Sequence, residues 1–220
     1  MNELATPLYF GATLRHIENA HAQENLMLRA GAAAFEWAVE LLGGAASAAT
    51  GSAAAPAPTL VLAGPGNNGG DALEMARLLR RAHFPVEVVF LGEATRLPPD
   101  AAQAYQQLIA EGGQTRREIP PEPHWGLIVD GLFGIGLARP LEGDYAHLIA
   151  AAEALDQAQG CPLLALDCPS GLNADTGVSL GSTLRASHTL TFIAAKPGLY
   201  TADGPDYCGQ IRIHDLRLGG

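Results

Sequence analysis

The chain has 220 residues, with 13 Lys and Arg against 23 Asp and Glu, a formal net charge of −10 at pH 7. That balance excludes a nucleic-acid backbone as the expected partner, because neutralising phosphates needs clustered cations. With 48% hydrophobic residues, 26 glycines and 15 prolines, the composition is that of a globular chain long enough for one α/β domain with a full-sized core.

Only Arg80-Arg81 and Arg116-Arg117 are adjacent basic residues, and they read as solvated helix and loop charges. The N-terminal stretch MNELATPLYFGATLRHIENA lacks a basic segment followed by an apolar one, so it does not read as a signal peptide. No apolar run approaches the ~20 residues that span a bilayer. Cys161, Cys168 and Cys208 show no C-x-x-C spacing and read as small apolar fillers in a reducing compartment. The expectation is a soluble, cytoplasmic protein with no membrane partner.

Residues 12–42 predict one or two amphipathic helices. Between Glu24 and Leu42, the residues Leu26, Met27, Ala30, Ala34, Trp37, Ala38 and Leu41 fall on one helical face, and Gly43-Gly44 is the expected stop. Residues 45–58, AASAATGSAAAPAP, are of low complexity and read as a flexible surface connection. Beyond them, short apolar runs alternate with helical spacing. Strands are expected at Thr59–Ala63, Val86–Leu91, Gly126–Asp130, Leu163–Asp167, Thr189–Phe192 and Gln210–His214. Helices are expected at Asp71–Ala82, Asp100–Glu111 and Gly143–Ala158. Near-continuous apolar strands such as LIVD and LLALD suit a sheet buried on both faces. The predicted fold is a three-layer αβα Rossmann-like sandwich with a mostly parallel sheet and an N-terminal helical extension. All 220 residues are read as a single domain whose ligand sits beyond the carboxyl ends of the strands.

Three loops at that edge carry carboxylates among Gly, Asn and Ser: GPGNNGGD after the first strand, Asp130-GLFGIGLARP after the third and Asp167-CPSG after the fourth. Glycine lets backbone approach a ligand, and successive amides cradle anions. Gly64, Gly66 and Gly69 complete G-x-G-x-x-G, and Glu93 stands where a ribose-binding acid would be. Asp71, however, directly follows the glycines, where its charge would repel a pyrophosphate; a helix N-cap is its plainer role. Asn67-Asn68 offers side-chain carbonyls, and an Asn carbonyl near Asp130 and Ser170 would suit a hard cation.

Asp130 reads either as a functional acid or as a strand-end cap. Asp167 ends a strongly apolar strand, where partial burial would poise it for acid/base work. Ser170 is no nucleophile elbow, because Cys168 occupies the first glycine position of G-x-S-x-G. Lys196 either holds a phosphate or carboxylate or is an exposed loop lysine. His188, at a strand entrance, reads as a packed or surface imidazole.

The stretches GPGNNGGDALEMARLL, DGLFGIGLARPLEG, LDCPSGLNADTG and HTLTFIAAKPG, with Leu26-Met27-Leu28-Arg29-Ala30-Gly31, together resemble the N-terminal YjeF domain family, the NAD(P)H-hydrate epimerases. The resemblance implies epimerisation of the R and S forms of NADH or NADPH hydrated at nicotinamide C6. This would feed a separate or fused dehydratase. It further implies a potassium ion held by Asn68, Asp130 and Ser170. Substrate contacts are implied for Asn67, Asn68, Gly69, Gly70 and Asp71, for Gly134, Ile135, Gly136, Leu137, Ala138, Arg139 and Pro140, and for Asp167. Asp167 is then the catalytic group, acid to the leaving hydroxyl and base to the returning water. A homodimer is a further expectation. Ala72 and Leu28 depart from the family pattern, where glycine and an acid are usual. Two rival readings are a non-catalytic dinucleotide-binding or interaction module, and an NAD(P)-dependent oxidoreductase. The oxidoreductase lacks a Tyr-x-x-x-Lys pair here, since Ile109 follows Tyr105 and Ile149 follows Tyr145 at that spacing.

Overall fold

The computed structural model describes residues 7–49, 57–121 and 124–218. Seven strands form one sheet: β1 (Thr59–Ala63), β2 (Val86–Phe90), β3 (Thr115–Arg116), β4 (Leu127–Gly131), β5 (Leu163–Leu166), β6 (His188–Phe192) and β7 (Gln210–His214). Their order is β3-β2-β1-β4-β5-β6-β7, and every pairing is parallel. Parallel neighbours need a crossover, and α3 (Asn67–Arg81), α4 (Pro99–Ala110) and α5 (Asp144–Gln159) supply three of them. Two helices precede the sheet, α1 (Gly11–Ala20) and α2 (Leu26–Ala49), and a short α6 (Gly204–Tyr207) precedes the last strand.

The inner strands β1, β4 and β5 are buried on both faces, as their unbroken apolar runs require, whereas the edge strands β3 and β7 are largely exposed. Because side chains alternate, Val61, Ala63, Val88, Val129 and Leu164 join Trp37 of α2, Leu73 of α3 and Leu108 of α4 in one core. Leu60, Leu62, Ile128, Leu163 and Ala165 face the other way, onto Leu148, Ile149 and Ala152 of α5. The three-layer αβα prediction therefore holds. Among the described residues no helix is long and apolar enough to cross a membrane.

Three local expectations are corrected. First, α2 does not stop at Gly43-Gly44 but continues to Ala49. Glycine inside a helix costs only about 1 kcal/mol, and the Trp37, Ala38 and Leu42 side chains are buried in the core. Residues 45–49 of the supposed surface connection are thus helical, while residues 50–56 of it lie outside the described residues. Second, α3 begins at Asn67, with Gly66 as its N-cap, so Asp71 is not a cap. The glycines that read as loop let the helix start pack closely: a Cβ on Gly69 would lie 2.0 Å from the Gly64 carbonyl oxygen. Third, β3 was not anticipated, because two residues without an apolar side chain leave no strand pattern. Arg116 and Arg117 are exposed charges, as read from the sequence, and pair at the surface: Arg116 donates to Glu87 at 2.8 Å, and Arg117 to Glu93 at 3.1 Å.

Candidate active site

The strand order reverses between β1 and β4, whose following helices lie on opposite faces, and such a switch point opens a crevice beyond the carboxyl ends of the strands. A cleft of about 490 Å³ lies there. Its walls include Pro65–Asn68 and Asp71 from the start of α3, and Phe133–Leu137 from the β4 exit. Asp167 and Ile193 come from the β5 and β6 exits, and the N-terminal helices close the cleft with Arg15, Glu18 and Met27.

Asp167 reaches the cleft through an unusual turn. Its φ of 65° lies in the left-handed region, and the Cys168 N–H closes a three-residue turn on the Leu166 carbonyl at 2.8 Å. Ile193, one strand over, repeats the arrangement with φ 67° and a bond from the Ala194 N–H to the Phe192 carbonyl. Such backbone costs of order 1–3 kcal/mol at each position and persists only where the surroundings fix it. The surroundings here are specific. The Ile135 N–H donates to Asp167 Oδ2 at 3.1 Å, and Lys196 Nζ donates to Asp167 Oδ1. Lys196 is only 1% exposed and also donates to Thr191 Oγ1 at 2.6 Å and the Phe192 carbonyl at 3.0 Å. The exposed-loop alternative for Lys196 is thereby excluded; it holds a carboxylate, that of Asp167. Gly134 is required nearby, since a Cβ there would stand 2.6 Å from Asp167 Oδ2.

Behind the cleft, Asp130 is fully buried at the end of β4. Ser170 donates to it twice, from Oγ at 2.7 Å and from N–H at 2.8 Å, and the Leu132 N–H donates at 3.1 Å. Burial pushes the Asp130 carboxyl up to about 6, against the lowering effect of these hydrogen bonds. Ser170 Oγ lies 3.3 Å from the Phe133 carbonyl oxygen. Asn68 is also buried, and neither its Oδ1 nor its Nδ2 has a hydrogen-bond partner within the structure. A buried amide left unsatisfied in this way calls for a ligand or water. Among the described residues no group of three or more His, Cys, Asp and Glu could hold a metal ion. Asp130, Ser170 and Asn68 offer carboxylate, hydroxyl and amide oxygens, the donor type that hard cations prefer.

The remaining acids give the cleft its character. Burial raises Asp71 well above the usual carboxylate range, and the charges of Asp167 and Glu18 push it further. Glu18 is likewise raised, first by burial and then by the Asp167 charge. Sequence reasoning missed Glu18 and Asp100, which also lines the cleft. Nothing in their helical contexts marks them, and only the docking of α1 and α4 around the loops brings them in.

Not every expected contact residue lines this space. Asn67, Asn68, Asp71, Gly134, Ile135, Gly136, Leu137 and Asp167 do. Gly69 and Gly70 instead pack the start of α3 against the Gly64 backbone and the Met27 side chain. Ala138, Arg139 and Pro140 are exposed and follow the loop away from the cleft. His188 is half-buried, edge-on to Trp37 with ring centroids 5.4 Å apart, and burial lowers its pKa. Cys161, Cys168 and Cys208 are free and buried.

This arrangement of loops has counterparts. The model of a family described as YjeF-related protein N-terminus matches residues 23–198. The chain belongs to that family. It is 46% identical over 161 residues to an NAD(P)H-hydrate epimerase of Achromobacter xylosoxidans, covering 73% of this chain and 76% of the relative. It is 42% identical over 211 residues to one of Bordetella bronchiseptica, covering 93% and 88%. A longer chain of Leishmania major, a bifunctional NAD(P)H-hydrate repair enzyme, is 41% identical over 72% of this chain, which spans only 29% of it. The crystal structure of yeast ynu0 shares the fold, with a TM-score of 0.75 and 18% identity over 94% of this chain and 87% of that one.

Proposed function

We propose that this member of the family is an NAD(P)H-hydrate epimerase, interconverting the R and S hydrates of NADH and NADPH at nicotinamide C6. The observation that carries the reading is the cleft itself, where Asp167, ion-paired to buried Lys196, faces Asp71 and Glu18, whose pKa values are both raised. Neighbouring carboxyls with divergent environments divide acid and base roles between them. The Asp167 carboxylate is the base, and Asp71, protonated to higher pH, is the acid. Sequence reasoning assigned both roles to Asp167; we infer instead that Asp71 takes the acid role, a reading supported by its burial beside Asp167 and Glu18 in the cleft.

In the reaction, Asp71 gives its proton to the C6 hydroxyl, which leaves as water while the ring-nitrogen lone pair forms an iminium cation. The acidic cleft favours that positive charge, since fixed charges in a partly dry site act on the transition state at little reorganisation cost. Water then adds to the other face of the ring and yields its proton to Asp167. Lys196 and the Ile135 N–H hold the Asp167 oxygens in place throughout.

Asn68, Asp130 and Ser170 would hold a potassium ion, and the unpartnered Asn68 amide supports that assignment. When bound, the ion would supply a fixed positive charge joining the β1, β4 and β5 exits. The name of the Leishmania relative supports a dehydratase as functional partner. Exposed Leu8, Phe10 and Leu28 at the N-terminal helices suit a second copy of this chain. The free, buried cysteines suit the reducing cytoplasm.

The test supplies mixed R and S hydrate to excess S-specific dehydratase with ATP. The S form is consumed quickly, and repair then waits on spontaneous conversion of R. Adding this protein should abolish the slow phase. An unchanged slow phase with a protein that still binds dinucleotide would make the site a receptor instead.

A further inference from the structure

The chain that leaves β5 delivers three side chains in turn: Asp167 to the cleft, Ser170 to Asp130 and, further on, Asp175 to the N-terminal helix. Asp175 does not itself line the cleft. It accepts from the Gly11 N–H at 2.6 Å, across 164 residues of sequence. Gly11 is the first residue of α1, whose N-cap Phe10 offers no side-chain acceptor and whose first turn holds no acid. Asp175 therefore supplies the carboxylate that the unpaired amides and positive end of a helix attract. The turn that presents it is firmly built. Asn173 Oδ1 accepts from the Asp175 N–H at 3.0 Å and the Thr176 N–H at 2.9 Å, and the Ala174 carbonyl accepts from the Gly198 N–H at 2.7 Å.

Among the described residues little else holds α1: no strand or other helix packs extensively on it, and its buried positions are Gly11 and Leu14. Its other attachments are the bond from the Tyr9 N–H to the Ala195 carbonyl at 2.9 Å, just before the helix, and Arg15, 3.4 Å from the Ile135 carbonyl. Yet α1 brings Arg15, Glu18 and Asn19 into the cleft that Asp167 lines. We propose that Asp175 is a positioning residue for this site: its bond to Gly11 latches α1 as a wall of the cleft and sets Glu18 beside Asp71 and Asp167. For its effect on turnover the latch rests on the epimerase assignment. The chain beyond β5 then fixes both the carboxylate of the cleft and the helix that encloses it.

Three substitutions test it. Asp175→Ala removes the acceptor, Gly11→Pro removes the donor while suiting the first position of a helix, and Asp175→Asn keeps an oxygen that can accept. In amide hydrogen exchange, α1 should lose protection about tenfold in the Ala and Pro variants, with β1 and β4 unchanged and Asp175→Asn close to the wild type. In turnover, the Ala and Pro variants should raise KM for the hydrate about tenfold and keep kcat within about threefold, the mark of lost binding rather than lost chemistry. Asp71 is faced by Asp167, Glu18, Lys196 and Asp100, and of these only Glu18 lies on α1. Because the Glu18 charge raises the Asp71 pKa, the alkaline decline of turnover should move to lower pH in the same two variants and stay in place in Asp175→Asn. Protection of α1 that is unchanged, or lost to the same degree throughout the sheet, overturns the latch. A loosened α1 with KM and the pH profile unmoved overturns the positioning role. If the wild type epimerises no hydrate, the functional reading fails by itself, and hydrogen exchange still decides the latch.

Discussion

Two neighbouring strands end in aspartates that the fold treats oppositely. Asp130, at the end of β4, has no exposed surface and is bound by Ser170 and Leu132 on ordinary strand backbone. Asp167, just past β5, sits on left-handed backbone, retains some exposure and is held by Lys196. One carboxylate is turned inward to Ser170 and the Leu132 N–H, the other outward toward a cleft. In the sequence the pair look alike, an apolar run closed by Asp. The difference lies in what the adjacent strand delivers: β4 meets the Ser170 turn, whereas β5 meets the lysine that follows β6.

Asp167→Asn separates them most sharply. Asparagine keeps the shape but cannot take a proton, so turnover in the coupled dehydratase assay should fall about a thousandfold, the middle of the range for a lost acid/base group. Binding of dinucleotide should persist. Turnover within tenfold of the wild type would remove Asp167 from the mechanism.

Lys196→Met tests the support of that carboxylate. Removing one partner of a buried ion pair typically costs about 3–5 kcal/mol, and denaturant unfolding should show a loss of about 3 kcal/mol. The double variant with Asp167→Asn should lose less than the sum of the two single changes, because neither charge is then left alone. Additive losses would mean that the pair is not coupled.

Asp71→Asn acts on the acid. If its raised pKa keeps it protonated, wild-type turnover must decline as pH rises through that pKa, since the donor form is what ionisation removes. The variant should lose about tenfold in kcat, below the usual acid/base range because Glu18 stays near, and its pH profile should lose the alkaline decline. A decline that survives in Asp71→Asn assigns the proton to another group.

Much of this could be read before the fold was seen. Parallel strands buried on both faces follow from runs such as LIVD, and the rule that ligands gather beyond strand ends selected the loops of Asp71, Asp130 and Asp167. What stayed hidden depends on tertiary approach. Lys196 lies 29 residues from Asp167 and meets it only because β5 and β6 are neighbours. The start of α3 was masked by glycines that serve packing against Gly64, not a turn. Glu18 and Asp100 belong to helices whose own patterns say nothing of the cleft they enclose.

The smallest effect concerns the inward aspartate. A potassium ion bound only by the folded chain stabilises it by RT ln(1 + [K⁺]/Kd), about 1.4 kcal/mol at ten times Kd, or roughly 3 °C for a chain of this size. Replacing sodium or choline with potassium should therefore raise the Tm of the wild type by that amount, and the shift should vanish in Asp130→Asn and shrink in Ser170→Ala. In Asp167→Asn it should remain, because that side chain contributes nothing to the oxygen set. The comparison is between salts within each variant, so any baseline destabilisation from disturbing the Asp130 hydrogen bonds cancels. A potassium shift that disappears with Asp167 and survives loss of Asp130 would exchange the roles of the two strand ends.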